Sequence, residues 1–142
     1  MIMNSHDIQQ VIPHRHPFLL IDQVLSMEAG KSITAIKNVT TSEYYFQGHF
    51  PEEPVMPGVL IIEAMAQAGA VTLLSLDAYK NKIAYFAGLN NVRFKRKVVP
   101  GDQLRLEVEI TRIKRSIGKG IGYAYVNDTL ACSAEITFAI GQ

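Results

Sequence analysis

Cysteine is nearly missing from this chain: its 142 residues contain one, Cys132. No internal disulfide and no cysteine-based metal cluster can form, a usage that suits a reducing compartment. Tryptophan is absent, and net charge almost so, since 14 Lys+Arg against 13 Asp+Glu leave +1. That balance offers no general basic surface of the kind nucleic acid demands. The stretch MIMNSHDIQQVI has neither the basic n-region nor the apolar h-region of a signal peptide, so the expected location is cytoplasmic. A clean membrane span is missing too. Residues 57–76 are about long enough, but they hold Glu63, Gln67, Thr72 and Ser75 and lack basic flanks, which favours a helix buried in protein. No GxGxxG follows a strand, and no P-loop, GxSxG elbow or HExxH pattern occurs. Nucleotide, serine-hydrolase and zinc-protease readings therefore find no support. His14 and His16 could join His49 and Glu63 as metal ligands, but without ligand spacing no metal is expected.

What is present is the composition of a folded domain, 48% hydrophobic and 19% charged, in a chain of a length that buries a full core. We expect one domain over 1–142. Residues 4–12 suit a short helix, with Asn4 or Ser5 as N-cap. FLLIDQVLSM (18–27) and SITAIKNVT (32–40) suit a hairpin turned at Gly30. Pro57 is well placed in the first turn of a helix running from Gly58 to Leu76 or Tyr79. Four strands are expected after it, over 83–94, 104–115, 119–127 and 130–140, while GKGIG (118–122) suits a hairpin. Along LRLEVEITR, Leu104, Leu106, Val108 and Ile110 alternate with Arg105, Glu107, Glu109 and Thr111, giving one buried and one wet face. The fold class is α+β: an antiparallel sheet of six strands curled round one long helix. Ala64, Ala66, Ala68, Gly69 and Ala70 make that helix thin, so a neighbouring element can approach closely, and a second copy of the chain is its natural supplier.

One stretch concentrates the chemistry: GHFPEEPVMPGVLIIEAMAQAGA (48–70). Glu63 lies among Val59, Leu60, Ile61, Ile62, Ala64, Met65 and Ala66, so a wet face is not expected, and burial raises a carboxyl pKa as a general acid requires. Gln67, one turn on, can orient it. His49 sits in the tight GHFP loop, and the unpaired N–H groups at the helix start, Gly58 first, can stabilise charge on a carbonyl oxygen. Taken singly, each has a plainer role: a loop histidine, a satisfied core carboxylate, a helix-interface amide. RFKRK (93–97) is half a solvated strand or a surface for an acidic partner; Tyr85 and Phe86 are core or tunnel wall.

In order along the chain, PHRHPFLLID (13–22), GHFPEEPVMPGVLIIEAMAQ (48–67) and VRFKRKVVPGDQL (92–104) resemble the FabZ-type 3-hydroxyacyl-acyl-carrier-protein dehydratases, over nearly the whole length. The resemblance implies a hot-dog fold and a homodimer with both active sites at the subunit interface, three dimers commonly forming a hexamer. It implies catalytic roles for His49 and Glu63, one from each subunit, a carbonyl-polarising N–H at Gly58, and no cofactor. It implies the dehydration of (3R)-3-hydroxyacyl-ACP to the trans-2-enoyl thioester. An acyl tunnel would be lined by Phe50, Val59, Ile62, Tyr85 and Phe86. Glutamate rather than aspartate at 63 implies no isomerase activity, and SEYYF (42–46) departs from the Asn-Glu that often precedes the two aromatics. Acyl carrier protein is the expected partner, docking on Lys95, Arg96 and Lys97 with Lys114 and Arg115 behind; neither nucleic acid nor membrane is. A hot-dog thioesterase and a non-catalytic acyl-binding module are the competing functions.

Overall fold

The computed structural model describes residues 1–141. A short helix α1 (Ser5–Gln9) leads into strands β1 (Gln23–Glu28) and β2 (Ser32–Asn38). A 3-10 turn (Tyr44–Gln47) precedes the long helix α2 (Gly58–Leu74). Strands β3 (Ile83–Phe94), β4 (Gln103–Lys114), β5 (Ile117–Val126) and β6 (Thr129–Gly141) follow. The six strands form one sheet in the order β1-β2-β4-β5-β6-β3, every pair antiparallel. The sheet curls about α2, which packs on five of its strands.

Local chemistry explains the element ends. Asn4 and Asp7 form a reciprocal capping box at the start of α1, satisfying two otherwise orphan N–H groups. Pro57 proves to be the N-cap of α2 rather than a first-turn residue, its carbonyl accepting from the Leu60 and Ile61 N–H groups. The helix stops at Leu74, where Ser75 Oγ donates back to the Val71 carbonyl at 2.7 Å; a separate 3-10 turn holds Asp77–Tyr79. Thr72 ties the helix to the β1–β2 turn: its hydroxyl lies 3.1 Å from the Glu28 carbonyl and accepts the Gly30 N–H at 3.1 Å.

Two expectations need correction. The first strand begins at Gln23, not Phe18, because Gln67 of α2 claims the peptide groups of Phe18 and Leu20 that a strand neighbour would otherwise pair. GKGIG is not a hairpin but the interior of β5; the reversal falls at Arg115 and Ser116. Gly118, Gly120 and Gly122 share its buried face. A Cβ on Gly122 would lie 2.9 Å from Met65 Sδ, so glycine there allows the helix to approach the sheet.

The alternation in β4 is borne out, with Leu104, Leu106 and Val108 buried and Glu109 and Thr111 exposed. The sheet's two edges differ. β1 is partly covered by the N-terminus through the Met3–Val24 bridge, whereas among the described residues β3 pairs with β6 alone and carries exposed Tyr85, Phe86, Leu89 and Phe94.

Candidate active site

The GHFP loop is held from both sides. Before it, the nearly buried Lys37 ammonium pairs with Glu43 at 2.7 Å, anchoring the turn Tyr44–Gln47. Within it, Phe50 and Glu53 exchange backbone hydrogen bonds, and the His49 carbonyl accepts the Val55 N–H. The His49 ring stacks on Phe50 and its Nδ1 lies 2.8 Å from the Val55 carbonyl. A carbonyl can only accept, so this contact places the proton on Nδ1 and leaves Nε2 with a free lone pair, the form a general base needs.

His49 opens into a cavity of about 530 Å³ together with Gly58, Val59, Phe94 and the basic run Lys95–Lys97. Pro57 offers no side-chain cap, so the Gly58 and Val59 N–H groups have no protein acceptor among the described residues. They point out of the helix start as free donors. Gly58 also has a packing reason: a Cβ there would lie 2.5 Å from the Phe94 ring.

Glu63 lies one and a half turns along α2 in a different, much smaller cavity of about 40 Å³, bounded by His14, Gln67, Phe86 and Phe138. Its side chain keeps 18% of its exposure, so it is sheltered rather than sealed. Gln67, 1% exposed, organises this region. Its Oε1 accepts the Leu20 N–H at 2.7 Å, and its Nε2 donates to the Phe18 carbonyl at 2.8 Å and to Glu63 Oε2 at 2.9 Å. Burial raises the Glu63 pKa above its ordinary value, and the Gln67 hydrogen bond opposes that rise only in part. The carboxyl therefore retains its proton to higher pH, as a proton donor must.

The expected residues thus fall into two groups. His49, Phe50, Gly58 and Val59 stand with Lys95, Arg96 and Lys97 at the helix start, while Glu63, Gln67 and Phe86 stand at mid-helix. Tyr85 is exposed on β3 and Ile62 is buried in the core. Arg96 approaches Asp102 and Lys97 approaches Glu53, both at 3.5 Å. Lys114 and Arg115 do not stand behind that run but line a separate groove on the β4–β5 hairpin with Arg112 and Lys119. Beyond the expected set, His14 faces Glu63, Nε2 to Oε2 at 3.7 Å. The sequence set it beside Glu63 only as a metal ligand without supporting pattern, and within PHRHP; no local spacing joins it to position 63. Among the described residues no group of His, Cys, Asp and Glu could hold a metal, and no helix is long and apolar enough to cross a membrane.

Residues 12–135 match the family model of the FabA-like domain. The chain is 60% identical over 142 residues to the 3-hydroxyacyl-[acyl-carrier-protein] dehydratase FabZ of Clostridium kluyveri, covering 100% of this chain and 99% of the relative. It is 57% identical over 141 residues to the FabZ of Desulforamulus reducens, covering 99% of each. Among solved structures, it superimposes on a chain of the dehydratase heterocomplex ApeI:P from Xenorhabdus doucetiae with a TM-score of 0.79 at 18% identity, covering 95% of this chain and 91% of that one. Conserved protein PA5202 from Pseudomonas aeruginosa gives 0.70 at 16% identity, with coverages of 93% and 97%. At such identities these two likenesses speak for the hot-dog fold alone. With a family model over most of its length and relatives above half identity end to end, the chain belongs to the FabZ-type 3-hydroxyacyl-[acyl-carrier-protein] dehydratases.

Proposed function

We propose that the chain dehydrates 3-hydroxyacyl groups carried on acyl carrier protein to trans-2-enoyl thioesters, each active site combining His49 of one protomer with Glu63 of its partner. One observation carries this reading. A histidine whose Nδ1 lies against a carbonyl and a carboxyl whose pKa burial raises occupy separate cavities of one chain, beside the apolar outer edge of β3. Pairing of β3 with β3 of a second copy would cover that edge. On this reading residues 1–142 act as one domain, and the dimers assemble in threes in the cytoplasm.

The chemistry balances without a cofactor. His49 Nε2 takes the proton from C2, next to the thioester carbonyl. The Gly58 N–H, with Val59 beside it, stabilises the charge that develops on the carbonyl oxygen. The C3–O bond breaks with its electron pair leaving on oxygen, and the Glu63 proton converts that oxygen to water. Proton return from His49 to Glu63 resets the site. Phe50, Val59, Tyr85 and Phe86 would line the acyl path, and Lys95, Arg96 and Lys97 would receive an acidic carrier protein.

The test is turnover of 3-hydroxyacyl-ACP by the purified protein: enoyl absorbance should appear without free thiol. Thiol as the main product would establish a thioesterase instead. Acyl binding with neither product would mark a non-catalytic module.

A further inference from the structure

The loop before β1 brings a histidine to the same Glu63 oxygen that α2's own Gln67 contacts. His14 is partly buried, with 22% of its side chain exposed. Its Nδ1 is buried and has no hydrogen-bond partner among the described residues, while its Nε2 faces Glu63 Oε2 at 3.7 Å. The backbone beneath is fixed: Arg15 donates to the carbonyls of Ile12, His14 and Gln9 at 2.9, 2.7 and 2.9 Å. Gln67 clamps the loop further on, at Phe18 and Leu20.

We infer that His14 is a positioning residue for the Glu63 carboxyl, presenting an Nε2–H to Oε2 so that this oxygen stays the carbonyl oxygen and the transferable proton sits on Oε1. The inference rests on the reading of Glu63 as the acid. Two arguments support it. First, a neutral imidazole has one N–H, and buried N–H groups are left without an acceptor more rarely than buried acceptors are left without a donor. The proton therefore belongs on Nε2, where an oxygen is near, and not on Nδ1, where none is. Second, Gln67 Nε2–H already donates to the same Oε2 at 2.9 Å while His14 Nε2 faces it at 3.7 Å, and an oxygen that accepts one N–H and faces a second is a poor site for a proton.

The charge state is consistent. Burial first, and the Arg15 guanidinium second, hold the His14 pKa below its ordinary 6.5. A cationic His14 would instead form an ion pair that keeps Glu63 ionised and useless as an acid. Arg15 and Glu63 are the charged or titratable groups that face His14; Gln67, Phe86 and Phe138 around the same cavity do not titrate. At 3.7 Å the contact is longer than a hydrogen bond, leaving the carboxyl room to shift toward a leaving hydroxyl.

The test compares two amides. Glutamine places its N–H near the position of Nε2, asparagine near that of Nδ1. With 3-hydroxyacyl-ACP and the intact oligomer, His14→Gln should keep kcat and the alkaline limb of the kcat profile. His14→Asn should lower kcat by about tenfold or more with KM unchanged. It should also move the alkaline limb upward, because losing a donor to the carboxylate raises the Glu63 pKa. Equal behaviour of the two variants, or an unmoved limb in His14→Asn, would mark His14 as packing and overturn the inference. Glu63→Gln is the control for the underlying reading. Its loss of turnover together with identical Gln and Asn variants sinks the inference alone, whereas its full activity sinks both.

Discussion

The two halves of the proposed site solve opposite problems with the same helix. At the start of α2, His49 sits in a roomy cavity beside three cations and free backbone donors. One hydrogen bond to a carbonyl selects which of its ring nitrogens carries the N–H. At mid-helix, Glu63 sits in a much smaller cavity, about 40 Å³ against about 530 Å³. There it is desolvation that raises the pKa of the acid. A base must be reached by substrate and must have a lone pair; an acid must be sheltered enough to keep a proton near neutral pH. One helix serves both because its open N-terminus lies at the surface and its middle lies under the sheet.

The sharpest way to break this comparison is to remove each half. His49→Ala and Glu63→Ala should each lower kcat by roughly 10²–10⁴ with the oligomer intact, as steady-state rates and size-exclusion profiles would show. Mixing the two inactive proteins under subunit exchange should restore activity, since half the mixed dimers' sites then hold both groups. No recovery despite proven exchange would place base and acid in one chain.

Next comes the clamp. Gln67→Leu leaves the buried Leu20 N–H without a partner and frees the Phe18 carbonyl, a loss of about 1–3 kcal/mol for the buried donor. Denaturant unfolding should register it, and turnover should fall through the displaced Glu63. The small-residue packing that lets the helix lie close is tested by Gly69→Ala. Its Cβ would fall 2.5 Å from the Phe138 ring, so stability should drop by about 1–3 kcal/mol with kcat nearly kept.

A fourth outcome separates the halves by pH. The Glu63 pKa is raised on folding, so the folded state binds the proton more tightly than the unfolded one. Its contribution to stability is therefore present below the ordinary value of 4.5 and is lost as pH rises through the folded value. Glu63→Gln should accordingly raise Tm above neutrality and leave it unchanged at acid pH. A gain of the same size at both pH values would remove the desolvation argument. The smallest effect is expected at the rim: Lys97→Glu should raise KM for acyl-ACP in a salt-dependent way and leave kcat alone.

Much of this was legible along the chain, for identifiable reasons. The apolar run around Glu63, broken by polar residues and without basic flanks, favoured a buried helix over a membrane span, and the period-2 pattern of β4 pointed to a half-buried strand. The failures are equally specific. Glycine at alternate positions reads the same in a tight turn as in a strand pressed against a helix, so GKGIG was ambiguous until Met65 and Leu73 were seen over it. FLLID has strand-forming residues, but Gln67, far along the chain, takes its peptide groups. His14 stands out along the chain only as a metal ligand without supporting spacing, since its neighbour Glu63 comes from another element and no local pattern joins the two.

By itself the sequence determined what kinds of group are present and how each local segment folds: an acid in an apolar helix, a histidine in a stiff loop, strands of known face. These follow from short-range periodicity, capping and turn chemistry, which neighbouring residues settle among themselves. Only the tertiary structure decided which groups meet. It joined Gln67 and His14 on one carboxylate oxygen, set the His49 proton through Val55, and separated His49 from Glu63 into different cavities. Those outcomes depend on contacts between distant parts of the chain, where burial and hydrogen-bond geometry, not local pattern, determine protonation.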